Sequence, residues 1–297
     1  MKKIVIILAA IAALTGCHKE TPDQVGHDVK DGQMRFTMSV GTPSKANDAE
    51  FESGDKVGLF VVEYNGEIPA PLQISGNWAN NVAVTFNGTV WNPVKTVYWP
   101  ETGTNVDVYG YYPYMHLISV DEQPFSVALD QSTLREGESL GGYEASDLLW
   151  AKTENVASTQ ESVSLSYKHI MSKLVVKLVK GDKYTGDLPD ASELYIHNVV
   201  PDAMVNLTNG SVVKDMYSTE KTIKANRIND STFEAIIVPQ RLESSRPFIE
   251  LISYGVSYLL EDSFYFRNGK VHVLELIING NPDQISVEIG GEIQNWN

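Results

Sequence analysis

The apolar residues of this chain come in short runs with the period of two that a β-strand needs, cut at close intervals by turn residues. Across 34–40, Met34, Phe36, Met38 and Val40 alternate with Arg35, Thr37 and Ser39. Residues 57–63 (VGLFVVE) are a continuous apolar run of strand length. Residues 82–86 alternate, and Asn87-Gly88 predicts a hairpin into Thr89-Val90-Trp91. Residues 106–112 read as a strand ended by Pro113. Leu174, Val176 and Leu178 continue the style, with further strands expected at 193–199, 232–238 and 248–254. The strongest hairpin signal runs from Phe264-Tyr265-Phe266 through Asn268-Gly269 into 270–278, because Asn-Gly supplies the positive-φ pair of a type I′ turn. Ile285, Val287 and Ile289 form a last alternating run. Only 131–140 reads as a short helix. Many short strands at regular spacing predict β-sandwich domains. A break near 160–166 divides two strand sets of similar size, and no repeat of solenoid or propeller length is visible.

The first residues read as an address. Lys2 and Lys3 precede an apolar run from Ile4 to Leu14, too short to span a bilayer and of the length found in secretory signals. Leu14-Thr15-Gly16-Cys17 then resembles a bacterial lipobox, in which a thiol at the membrane surface accepts a diacylglyceryl group and becomes the first residue of the mature chain. Cys17 is the only cysteine among 297 residues. Two or more acyl chains give stable anchoring where one gives marginal binding. Residues 1–16 are therefore expected to be a lipoprotein signal peptide, Cys17 the palmitate-bearing site, and 17–32 a polar tether.

Composition excludes whole classes of chemistry. With 23 Lys+Arg against 38 Asp+Glu the formal charge is -15, so a phosphate backbone is repelled and nucleic-acid binding loses its main electrostatic term. A lone cysteine rules out internal disulfides, thiolate zinc sites and iron–sulfur clusters. His27, His116, His169, His197 and His272 stand in no metal-ligating spacing. There is no G-x-S-x-G elbow, dinucleotide fingerprint or Walker loop. No cofactor, metal or catalytic residue is expected, and the chain reads as a non-enzyme. Tyr98, Trp99, Tyr109, Tyr111, Tyr112 and Tyr114 crowd into one stretch, where strand packing accounts for them and a sugar-stacking platform is the alternative.

Local patterns then line up in order: Gly54-Asp55-Lys56-Val57-Gly58-Leu59-Phe60, Tyr98-Trp99-Pro100, Tyr111-Tyr112-Pro113-Tyr114, Asp147-Leu148-Leu149-Trp150-Ala151, His169-Ile170-Met171-Ser172-Lys173-Leu174, Gly269-Lys270-Val271 and Ile293-Gln294-Asn295-Trp296. Together, behind a lipobox, they resemble the fimbrillin family of Bacteroidetes lipoproteins, the subunits of type V pili. The resemblance implies an all-β chain of two transthyretin-like β-sandwich domains with Greek-key type connections, placed at 33–165 and 166–297. It implies an outer-membrane lipoprotein precursor at the cell surface, with other fimbrial subunits as partners and a ligand on a host or bacterial surface. It also implies cleavage by a trypsin-like protease after the first strand, followed by strand exchange. Thr42-Pro43-Ser44-Lys45-Ala46 lies where the family often has Thr-Arg-Ala, so Lys45 and Ala46 flank the expected cut. Residues 285–296 are the expected donor strand, with Ile285, Val287, Ile289 and Ile293 as groove-filling side chains. The alternative function is a cell-surface glycan-binding lipoprotein, which predicts coplanar exposed rings among Trp78, Trp91, Trp99 and Trp150.

Overall fold

The computed structural model describes residues 32–41, 51–100, 103–182, 184, 187–188, 192–243, 246–253, 255–278 and 293–296. Up to residue 169 the strands are β1 (Phe36–Val40), β2 (Lys56–Asn65), β3 (Ile68–Pro69), β4 (Ala79–Phe86), β5 (Trp91–Pro93), β6 (Val106–Tyr112), β7 (Gln123–Ser126), β8 (Leu149–Val156) and β9 (Val163–His169), with one short helix, α1 (Gly142–Ser146). From residue 172 they are β10 (Ser172–Lys180), β11 (Ser192–Val199), β12 (Asp202–Asn206), β13 (Ser211–Lys214), β14 (Lys221–Lys224), β15 (Asn226–Asn229), β16 (Thr232–Ile237), β17 (Gln240–Leu242), β18 (Pro247–Ser253), β19 (Val256–Glu261), β20 (Phe264–Phe266), β21 (Lys270–Ile278) and β22 (Ile293–Asn295). The fold is all-β, as the alternation predicts.

The largest sheet runs β1-β9-β8-β6-β2-β4-β5, with β3 paired to β2. Its β2, β4, β5 and β6 are antiparallel neighbours in the order β6-β2-β4-β5, a Greek key in which the fourth strand returns beside the first. The run VGLFVVE is continuous because β2 is buried on both faces. Val57, Leu59 and Val61 enter one core with Val108, Leu165 and Tyr167, while Phe60 and Val62 enter a second core with Tyr109, Tyr111 and Trp150. Two glycines make room for this aromatic packing. A Cβ at Gly58 would sit 2.2 Å from the Tyr111 ring, and one at Gly110 would sit 2.3 Å from the Tyr167 hydroxyl. The sheet curls until its ends meet, for Met34 N donates to Val97 O at 2.9 Å and Gln33 bridges Tyr98.

A five-stranded sheet, β15-β16-β10-β21-β22, faces a four-stranded sheet, β14-β11-β18-β19. Leu174, Val176 and Leu178 of β10 share one core with Leu194 and Ile196 of β11 and with Ile249 and Leu251 of β18. That core also takes in Phe60, Tyr111 and Trp150 of the large sheet. β7 pairs with β12, and the Trp150 indole donates to Leu207 O at 2.7 Å.

Two local expectations are corrected. Residues 131–140 form turns rather than a helix, and α1 lies just beyond them. The reason is tertiary. The buried Gln131 amide donates to Ile236 O at 2.7 Å and accepts from Ile236 N at 2.8 Å, fixing this segment against β16. The Asn268-Gly269 turn does not join a hairpin either. β20 pairs with β17, whereas β21 pairs in parallel with β10 and antiparallel with β22. The turn's backbone is engaged elsewhere: Gly269 N donates to Met171 O at 2.8 Å, and Gly269 O accepts from Trp296 N at 3.1 Å.

Candidate functional site

The first and last strands bring the site together. β1 is a terminal strand that lies parallel to β9, pairing Phe36 with Val163 through to Val40 with Tyr167. Phe36 is buried, Met38 and Val40 are half-buried, and Thr37 and Ser39 alternate with them. Its Thr37 hydroxyl shares a hydrogen bond with Ser164, and the Ser166 hydroxyl donates to Gly41 O. β22 is also short, and among the described residues it pairs with residues 270–272 of β21. Its neighbour Trp296 is 6% exposed and stacks on His169, ring centroids 3.9 Å apart and planes 5° from parallel. Val40 at the end of β1 and Trp296 after β22 line one cavity of about 270 Å³.

Paired charges line the rest of this cavity. Arg135 reaches Asp55 at 2.5 Å and Glu144 at 2.9 Å. Burial works against the Arg135 charge, but the two carboxylates outweigh it and raise its pKa above the usual guanidinium value. Tyr112 donates to Asp55, and burial followed by that carboxylate raises its phenol far above the ordinary range. Lys173 bridges to Glu234 at 3.0 Å, and Tyr143 donates to the same carboxylate oxygen. His169 Nδ1 lies 2.8 Å from Asp147. Such a lining suits the holding of segments together: each cation has a carboxylate, and among the described residues no cluster of His, Cys, Asp or Glu is arranged to hold a metal.

Of the residues singled out in the sequence, Cys17, Lys45, Ala46, Ile285, Val287 and Ile289 lie outside the described residues. Ile293 lies in β22 opposite His272, with its side chain 52% exposed. The apolar anchor of this terminal segment is Trp296, which sequence periodicity did not single out. Of the four tryptophans tied to the glycan alternative, Trp150 is buried and Trp78 is 43% exposed with its indole donating to Tyr98 O. Trp99 is half-buried, and Trp91 packs between Phe51 and Phe86. None of the ring contacts found among the described residues joins two of the four.

Residues 44–296 match the family model described as Fimbrillin-like. A candidate cell adhesion protein from Bacteroides uniformis shares 19% identity and superposes with a TM-score of 0.62, covering 90% of this chain and 99% of the other. Another from Bacteroides ovatus shares 16% identity with a TM-score of 0.67, covering 89% and 97%. At such identities the likeness is one of fold. No curated protein sequence matches the chain.

Proposed function

The chain belongs to the fimbrillin-like family, and from that premise we propose that it is a structural or adhesive subunit of a cell-surface fimbria. It is exported as an outer-membrane lipoprotein acylated at Cys17 and assembled with other subunits by strand exchange. It consists of two domains, 33–165 and 166–297. Cleavage between Lys45 and Ala46 releases β1, and residues 285–296 of a neighbouring subunit supply the replacement strand, with Ile285, Val287, Ile289 and Ile293 toward the vacated groove.

The observation that supports this reading is the convergence of Val40 and Trp296 on one cavity. Loss of β1 would strip the β9 edge of its five-residue partner and uncover Phe36's place in the core. An incoming strand of matching alternation restores both the ladder and the apolar contacts. The experiment is limited trypsin treatment of purified protein, followed by sizing. Cleavage at Lys45 with heat-sensitive multimers supports exchange. A clipped protein that stays monomeric, and behaves identically without 285–296, argues against it. For the anchor, Cys17→Ser should abolish metabolic labelling by a fatty acid, and normal labelling would overturn that assignment.

A further inference from the structure

One stretch of this acidic chain holds no acid. Residues 68–100 contain no Asp or Glu and a single Lys, in a chain with 38 acidic residues among 297. The same stretch exposes large apolar side chains: Ile68 72%, Ile74 39%, Trp78 43%, Val94 77% and Tyr98 55%.

The fold gathers most of them at one pole of the large sheet. β1, β4, β6 and β9 start at this pole and β2 and β8 end there, as the pairs Phe36–Val163, Val61–Ala79, Glu63–Val106 and Val106–Val156 require. Ile68 pairs with Asn65 at the end of β2. Trp78 immediately precedes β4, and its indole donates to Tyr98 O at 2.6 Å. Ile74 sits in the same connection. The cavity with Val40 and Trp296 lies at the opposite pole, where β1 and β9 end.

Asn77, Asn80 and the Trp78 N–H, next to these side chains, are already engaged. Asn77 donates to Gln73 O at 2.6 Å and to Asn80 Oδ1 at 2.7 Å, and accepts from Gln73 N. Asn80 donates to Asn77 O. The Trp78 N–H is satisfied as well. Ring and aliphatic surface can therefore leave water without stranding these donors, which removes the usual cost of burying a polar group. Glu63, Glu67, Glu154 and Glu161 belong to the same pole but flank the stretch rather than interrupt it.

This is also the pole at which the chain enters the fold. Trp99 N donates to Gly32 O at 2.6 Å, and Gln33 bridges Tyr98. The residues between Cys17 and Gly32 span at most about 50 Å when fully extended. An acyl group on Cys17 would thus tether the fold to the bilayer from this pole. Trp and Tyr favour the membrane–water interface, where an apolar ring and a wet edge are both accommodated.

We propose that the pole carrying Ile74, Trp78 and Tyr98 docks on the lipid surface in which Cys17 is anchored, orienting the subunit with its strand-exchange pole away from the membrane. The proposal rests on the reading of Cys17 as the acylated residue. The 68–100 stretch adds no further carboxylate to the four glutamates of this pole, so its apolar side chains meet the lipid surface without a charge of their own to desolvate. Lipid contact here is shallow and interfacial, adding to an acyl anchor rather than replacing it.

The test uses the full mature protein, purified in detergent and reconstituted into phosphatidylethanolamine–phosphatidylglycerol vesicles containing brominated lipid. Bromine quenches tryptophan fluorescence only at short range. The wild type should be quenched, Trp78→Phe should lose most of that quenching, and Ile74→Ser/Tyr98→Ser should weaken it. Dissociation of an unacylated chain made without residues 1–16 and carrying Cys17→Ser should become about tenfold more favourable from the same vesicles in the Ile74→Ser/Tyr98→Ser background. The mass of the N-terminal peptide from each sample reports acylation separately. Acylated protein without quenching overturns the docking proposal and leaves the anchor standing. An unmodified Cys17 overturns the anchor reading, and the same vesicles then judge the patch from solution. Shielding of Trp78 that rises with protein concentration in the absence of lipid assigns the patch to a protein interface and also overturns the proposal.

Discussion

Lowering the pH should destabilise this protein through His272 well before most of its carboxylates titrate. His272 is 2% exposed on β21, and its Nε2 accepts from Arg267 N at 3.0 Å. Phe264 and Phe266 lie edge-to-face with it, ring centroids 5.3 and 6.0 Å away. Burial, reinforced by the Arg267 charge, lowers its pKa from 6.5 to about 4. The sign follows from linkage. Between those two values the unfolded chain binds the proton and the folded chain does not, so stability falls as pH falls. The loss is about 2 kcal/mol at pH 5 and approaches about 3 kcal/mol at pH 4. Protonation also places a new N–H against the Arg267 N–H, so the folded state loses an acceptor. The assay is urea unfolding from pH 7 to pH 4.5 on wild type and His272→Gln, whose amide oxygen can still accept. Their difference isolates His272, because every other titrating group is common to both. Wild type should lose about 2 kcal/mol more than the variant between pH 7 and pH 5. Equal losses would refute the buried neutral imidazole as the cause.

Trp296→Ala should cost about 3 kcal/mol, the low end for a buried Trp because β22 beside it has only three residues, and a shift in urea midpoint reads it; an unchanged midpoint would remove Trp296 as the anchor of β22. Gly110→Ala should cost about 2 kcal/mol by forcing Tyr167 from its place, and thermal unfolding that matches wild type would show that the ring has room to yield. Arg135→Met should cost about 3 kcal/mol by leaving the 6%-exposed Asp55 side chain without its cation. That loss should shrink in an Asp55→Asn background, and a cost independent of Asp55 would contradict the pairing.

Strand existence was legible because period-two alternation is a local signal. Phe36, Val84, Leu174 and Val176 all announce it, and all four are buried; Val163, Leu165 and Tyr167 alternate as well, but they fall where the sequence reads as a break near 160–166. Pairing was not legible. Nothing in 36–40 specifies that β1 lies parallel to a strand more than a hundred residues later, since register follows from which apolar faces the finished sheets must cover. The two local misreadings share that cause. Asn268-Gly269 has hairpin chemistry, and its glycine does take φ 61, but Met171 and Trp296 claim its backbone groups. Gln131 opens a stretch of acceptable helix formers, yet its side chain replaces a strand's hydrogen bonds on Ile236. In both, distant partners override a propensity worth less than the bonds they supply.

The site was hidden for the same reason. Val40 looked like the last residue of an alternating strand and Trp296 like a terminal aromatic, and only the folded chain places both on one cavity. This arrangement has a mechanical consequence. Both strands are short, with five residues in β1 and three in β22, so each holds few ladder bonds, and the buried side chains of their segments are few: Met34 and Phe36 on the first, Trp296 on the second. Elements of that kind open at lower free energy than the central β2 and β6, which are covered on both faces. If strand exchange is the function, the exchangeable pieces must be those whose removal leaves the remaining core intact. Phe36 and the preceding Met34 contribute two buried side chains to a core otherwise built from β2, β4, β6, β8, β9 and Val97, and Trp296 contributes one to a core shared by the two facing sheets and the large sheet. Most of each core would therefore keep its contacts if either strand left.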